Sequence, residues 1–200
     1  MRIILSSRNI SKAKQIRAAL TGLSFEVLTL DDVHIMEGAL EDGATLEENA
    51  LKKARFAWEK TRSSKSWTIA DDTGFFIDAL GGRPGIHAAR WAGENVSTED
   101  IMNFTLKKLE GVPAPKRGAT FKTVAAVLSP EGDEHLFSGE VRGTILEKPR
   151  TVCQPNMPYS AIFLPDGLKK VWAEMATSEE NMVSHRGKAF RQVREFFEKL

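Results

Sequence analysis

Within the first thirty residues an apolar run, a polar loop, a helix-spaced segment and a second apolar run follow one another, and that order constrains the fold more than any other feature of the chain. Arg2–Leu5 reads as a short buried strand and Ser6-Ser7-Arg8-Asn9 as a polar loop. From Ile10 to Leu20, residues Ile16, Ala19 and Leu20 share one helical face. Phe25–Leu30 reads as a second strand. Strand, loop, helix and strand in succession open an α/β fold.

The later segments extend this pattern. Thr45 to Arg62 is a helix with a capping box, Thr45 as N-cap and Glu48 at the third position. Ser66–Ala70 is a strand candidate ending in Asp71-Asp72, and Gly74–Ala79 is an irregular strand. Gly81-Gly82-Arg83-Pro84-Gly85 is a loop. Thr98 to Leu109 is an amphipathic helix capped by Ser97 or Thr98. Ala119–Leu128 and His135–Leu146 flank the turn Ser129-Pro130-Glu131-Gly132-Asp133, which makes an antiparallel hairpin. Glu147 to Pro158 is a loop, Tyr159–Leu164 a short strand, and Ala189 to Leu200 a helix whose apolar face is Phe190, Val193, Phe196, Phe197 and Leu200. Parallel units followed by a hairpin imply a mixed sheet. Residues 1–200 show no internal repeat or linker and are read as a single domain, with two lobes sharing one sheet.

Net charge is +1, so no global field draws the chain to nucleic acid or to a membrane surface, and any anion site must be local. The apolar run Met1–Leu5 is too short for a signal segment or a membrane span. A single cysteine, Cys153, excludes an intrachain disulfide and fits a reducing, cytoplasmic setting; without a His partner nearby it reads as a buried or loop thiol. His34, His87 and His135 have no metal-ligand spacing.

Four constellations can carry chemistry. Ser7, Asn9 and Lys12 lie where a strand meets a helix, whose free amides and positive end suit phosphate; a capped surface helix is the plainer reading. Asp71 and Asp72 at a strand end are either cleft carboxylates, suited to Mg²⁺ and to a water-activating base, or a turn. Glu48, Asn49 and Lys53 stand on the capped helix, where Glu48 either closes the box or holds a metal. Ser184-His185-Arg186-Gly187-Lys188 puts cations where a helix dipole disfavours them, which points to an electron-rich ligand or to a solvent-exposed turn.

These four sites, in this order, resemble the HAM1/RdgB family of non-canonical purine nucleoside triphosphate pyrophosphatases. The resemblance rests on Ala70-Asp71-Asp72-Thr73-Gly74, Asp78-Ala79-Leu80-Gly81-Gly82-Arg83-Pro84-Gly85-Ile86, Ala89-Arg90-Trp91-Ala92-Gly93, Glu48-Asn49-Ala50 with Lys53-Ala54, and Ser184-His185-Arg186-Gly187. It implies an elongated mixed sheet flanked by helices, two lobes around a central cleft, and a homodimer. It also implies Mg²⁺-dependent hydrolysis of inosine and xanthosine triphosphates to monophosphate and pyrophosphate. Carried over, Ser7, Asn9 and Lys12 hold phosphates, Lys53 neutralises their charge, and Thr73 touches substrate. Asp72 accepts a proton and binds metal, Glu48 assists with metal, and Asp71 supports Asp72. His185 and Arg186 read the base, and Tyr159 and Ser160 lie in the base loop.

Three segments depart from the family pattern. Arg8 replaces a glycine beside the phosphates, and either points away from them or adds a contact. The family's Gly-Phe-Gly-Tyr-Asp-Pro reads Asn156-Met157-Pro158-Tyr159-Ser160-Ala161, so Met157 stands in for a stacking aromatic and Ser160 for an acid. Asn181 stands where the family has a base-side lysine. The chain therefore reads as a pyrophosphatase with a rebuilt base pocket, against a nucleotide-binding or regulatory module without turnover on the same fold. A nucleic-acid binder is disfavoured by the neutral charge and the lack of an aromatic-basic platform.

Overall fold

The computed structural model describes residues 2–200; Met1, the first residue of the opening apolar run, lies outside the described residues. One sheet organises the chain. Its strands are β1 (Arg2–Leu5), β2 (Glu26–Thr29), β3 (Trp67–Ile77), β4 (Pro84–Gly85), β5 (Gly118–Leu128), β6 (Glu134–Ile145) and β7 (Phe163–Pro165). They run in the order β2-β1-β3-β5-β6-β7, with β4 paired to β3. The β1 pairings with β2 and β3 are parallel and all others are antiparallel, which is the mixed sheet expected. The helices are α1 (Ile10–Ala19), α2 (Leu46–Thr61), α3 (Thr98–Lys108), α4 (Thr177–Val183) and α5 (His185–Phe197).

Alternation along β3 decides which helix covers which face. Ile69 packs with Ala13 and Ile16 of α1 and with Ala189, Phe190 and Val193 of α5. Ala70, pointing the other way, packs with Leu46, Ala50 and Ala54 of α2. Farther along, Phe75 and Ile77 enter a separate core with Phe121, Ile145, Tyr159, Phe163 and Trp172. Three packed clusters thus share the long strands β3 and β5.

Four boundaries differ from the sequence reading. Asp71 and Asp72 do not end a strand: β3 runs through them, pairing them with Ala125 and Val124 of β5, and Gly74 to Ile77 is its continuation. Two buried carboxylates look like a break in an apolar run, but their backbones stay paired to β5. The last helix begins at His185, four residues earlier than its apolar spacing indicates, with Ser184 Oγ accepting from Gly187 N at 3.0 Å. Tyr159 to Ile162 forms turns, leaving only Phe163–Pro165 as strand. Helix α4 was absent from the sequence reading; it is seven residues long, too short to display a periodicity.

Candidate active site

The chemistry-bearing residues gather where β1 stops. The last bond on that side of β3 runs from Ser6 N to Ile69 O (2.7 Å). Beyond it the chain turns away through Ser7-Arg8-Asn9, so the edge of β3 beside Asp71 and Asp72 loses its parallel neighbour. Crevices at the carboxyl ends of parallel strands are the usual ligand position in α/β sheets. Here a cavity of about 360 Å³ opens. Ser7, Asn9, Lys12, Lys53, Asp71, Asp72, Thr73, Tyr159, Ser160, His185 and Arg186 all line it.

The two aspartates project to opposite faces of β3 and meet different cations. Asp71 Oδ2 accepts from Lys12 Nζ (3.1 Å), Arg186 Nε (3.3 Å) and Thr73 Oγ1 (3.2 Å). Burial alone would push this carboxyl up; the charges of Lys12, Arg186 and Lys53 outweigh it and hold Asp71 well below the usual carboxylate range. Asp72 Oδ1 accepts from Lys53 Nζ at 2.7 Å. Burial works to lower the Lys53 pKa, but Asp72, Glu41 and Asp71 raise it, so its ammonium stays charged. Asp71 Oδ1 and Asp72 Oδ2 are buried without a hydrogen-bond partner. Buried carboxylate oxygens are seldom left so, because the desolvation is costly.

Glu48 is not among these groups. Its side chain is exposed and lies off the cavity, and its Oε2 accepts from Ala44 N at 2.7 Å, one residue before the backbone amide a capping box would use. Thr45 Oγ1 does accept from Glu48 N (3.1 Å), so the cap is present and its reciprocal arm is displaced. Buried Asn49 works alongside, its Oδ1 accepting from Gly43 N (2.8 Å). The two side chains fasten residues 43–44 to the helix start, and this places Glu41 on the cavity wall, Oε2 accepting from Lys53 Nζ at 3.3 Å. Glu41 sits in a polar loop with no periodicity or motif to mark it in sequence; the reach-back of Glu48 and Asn49 was its only trace.

Arg8 turns from the phosphate loop toward residues 31–37. Its guanidinium donates to Ile35 O (2.9 Å) and Glu37 O (2.6 Å) and lies 3.4 Å from an Asp31 carboxylate oxygen. Asn9 caps α1, its Oδ1 accepting from Lys12 N (3.1 Å) while Nδ2 donates to Asn156 O (3.3 Å). Ser11 Oγ donates to Pro155 O (2.8 Å), so α1 holds the 154–160 segment as well.

The opposite end of the cavity is aromatic. His185 stacks on Phe121 with ring centroids 4.7 Å apart and an interplanar angle of 12°. Burial, then the Arg186 charge, pushes its pKa well below the ordinary value, so the ring is neutral. Tyr159 is buried against Phe75, and its hydroxyl donates to Ala88 O (2.8 Å). Ser160 Oγ donates to Met157 O and accepts from Gln154 N, both at 2.8 Å, and so fixes the loop. Cys153 is half-buried beneath it, its thiol pushed up by burial. Asn181 lies off the cavity, its Nδ2 donating to Gln15 O (2.8 Å). The α4 residue that reaches the cavity is Glu180, together with Gln154, Phe121 and Trp172. Arg186 Nη1 donates to Gln15 Oε1 (2.5 Å). None of these four lining residues, nor Gln15, was marked in sequence, because each stands alone between ordinary neighbours.

Residues 3–196 match the model of the Ham1 family. The chain belongs to the Ham1 family. A dITP/XTP pyrophosphatase of Caldanaerobacter subterraneus subsp. tengcongensis is 41% identical over 98% of this chain and 96% of its own length. One of Geobacter sulfurreducens is 40% identical over 94% and 92%. Among solved structures, the Staphylococcus aureus Ham1 protein superposes with a TM-score of 0.84 at 29% identity, covering 100% of this chain and 99% of its own. The mixed sheet flanked by helices is therefore the Ham1 fold.

Proposed function

We propose that this Ham1-family chain hydrolyses nucleoside triphosphates with non-canonical purines to the monophosphate and pyrophosphate, using the cavity around Asp71 and Asp72. The observation that carries the reading is the pair of unpartnered buried oxygens, Asp71 Oδ1 and Asp72 Oδ2, set among Lys12, Lys53 and Arg186. Hard anionic oxygens beside cations suit a divalent metal and a polyphosphate together.

Glu41 and Asp72 would hold the metal, Mg²⁺ being the ion proposed, with Glu41 replacing Glu48 in that role. The bound ion supplies charge neutralisation for the transferring phosphoryl group. Lys12 and Lys53 bind the phosphate oxygens, helped by Ser7, Asn9 and Thr73, while Arg186 stays with His185 on the base side. Asp72 Oδ2 takes the proton from the attacking water as the bond between the α- and β-phosphoryl groups breaks, and pyrophosphate leaves. His185, Tyr159, Ser160 and Met157 enclose the base. Among the described residues no helix is long and apolar enough to cross a membrane. A cytoplasmic homodimer is the proposed setting.

Pyrophosphate release from ITP, XTP, GTP and ATP with Mg²⁺ tests the reading. Turnover of at least one is expected, and Asp72→Asn should lower kcat by about 10²- to 10⁴-fold. Binding without turnover of any triphosphate, or an Asp72→Asn enzyme as active as the parent, would leave a nucleotide-binding module instead.

A further inference from the structure

The lysines and arginines that line the cavity are Arg8, Lys12, Lys53, Arg90 and Arg186. All but one face a carboxylate: Arg8 that of Asp31, Lys12 and Arg186 that of Asp71, and Lys53 those of Asp72 and Glu41. Arg90 makes no ion pair among the described residues, and the proposed hydrolysis gives it no part. A cation without a counter-charge on the wall of an anion site has its charge available to a ligand.

The Arg90 guanidinium is nevertheless held in place. Its Nη2 donates to Glu41 O (3.2 Å) and lies 3.3 Å from His87 Nδ1, which accepts, because an arginine nitrogen can only donate. Among the described residues Nη1 and Nε meet no protein acceptor. The turn that carries the side chain is fixed from beneath: Arg90 N donates to His87 O (3.0 Å), Ala88 is buried, and Ala88 O accepts from the Tyr159 hydroxyl (2.8 Å). A long side chain restrained in this way loses less freedom when a ligand arrives.

Glu41, whose carbonyl holds Arg90, turns its own carboxylate to Lys53 at the phosphate end of the cavity. Lys53 is buried and Lys12 half-buried, whereas Arg90 is exposed. A phosphate chain whose inner groups lie on Lys12 and Lys53 therefore reaches Arg90 last, toward solvent. We infer that Arg90 binds the terminal phosphoryl group of a nucleoside triphosphate and selects triphosphates over diphosphates. The terminal group carries the most charge and the most free oxygens of the chain, and a planar guanidinium is the side chain best matched to it. The inference rests on the proposed reading that this end of the cavity binds the phosphates of a nucleotide.

Calorimetric binding of IMP and of the α,β-methylene analogues of IDP and ITP, with Mg²⁺ present, tests it without turnover, because the bridged bond is the one hydrolysis would break. The parent should bind the triphosphate analogue roughly 10-fold or more tightly than the diphosphate analogue. Arg90→Ala should erase most of that ratio and leave binding of IMP and of the diphosphate analogue unchanged. Arg90→Lys, which keeps the charge but not the planar donors, should give an intermediate ratio and covers the case in which Arg90→Ala fails to fold. Equal binding of the two analogues by the parent, a ratio unchanged in a folded variant, or an equal loss for all three ligands overturns the inference, even if triphosphates are hydrolysed. An Arg90-dependent ratio in a protein that hydrolyses no triphosphate supports it and defeats the hydrolase reading instead. Failure of every nucleotide to bind overturns both.

Discussion

Asp71 is the residue on which the two faces of the site most depend, because its Oδ2 anchors both Lys12 and Arg186. Side-chain exposures of 1% for Asp71 and 3% for Arg186 make this a buried pair. Removing one member of a buried pair leaves the other charge uncompensated, so Asp71→Asn should cost about 3 kcal/mol in urea unfolding. Its pKa is depressed on folding, so its contribution is fully present above the unfolded value of 3.8 and is lost as pH falls below that toward the folded value. The parent should therefore lose stability below about pH 4, with a shallower acid slope in Asp71→Asn, read by denaturation at successive pH values. Most single residues of the site were legible in sequence because charge stood where helix ends or strands do not favour it, as with Arg186 and the two aspartates. Glu41 was not, since a carboxylate in a polar loop is indistinguishable from solvated neighbours until the chain is folded.

At the level of elements, the start of α2 bears on the two alternatives the sequence leaves for Glu48, helix cap or metal ligand. If Glu41 is the metal-holding carboxylate and Glu48 only secures its loop, the two substitutions differ in degree. Glu48→Ala should raise the Mg²⁺ concentration for half-maximal activity by roughly 10-fold, whereas Glu41→Gln should raise it on the order of 100-fold. Metal titrations of pyrophosphate release compare them directly; equal or reversed effects would return Glu48 to the metal. The α4–α5 corner is the second informative element. A Cβ at Gly187 would run into the Asn181 carbonyl, and one at Gly139 of β6 into the His185 carbonyl, so α5 is clamped by backbone on two sides. Gly187→Ala should cost about 1–3 kcal/mol, lowering Tm by about 2–4 °C per kcal/mol. That crowding explains a glycine inside a helix, which periodicity does not reveal. The β5–β6 hairpin, by contrast, was readable from two strand-rich runs and the turn residues between them, because its pairing is local in sequence.

Over the whole molecule, contacts between distant segments set the cavity walls. Arg8 ties the end of β1 to residues 31–37, and α1 ties itself to residues 155 and 156. Arg8→Ala should leave the sheet intact while amide exchange across 31–37 quickens by roughly 10-fold or more. Unchanged exchange there would show that packing of Leu30 and Ile35 alone holds the segment. The mixed sheet could be read from the order of short runs, but the walls could not, since they join residues far apart in the chain through side chains whose geometry exists only after collapse.

The carboxylates Asp71 and Asp72 stand on β3, a strand laddered to β5 over ten positions, while Met157, Tyr159 and Ser160 stand in the turn-rich segment between residues 154 and 160. Scissors bolted to a rigid bench and an interchangeable grip can be altered independently. Substitutions in the 154–160 segment should therefore change which base is held while the ladder that carries Asp71 and Asp72 stays in place.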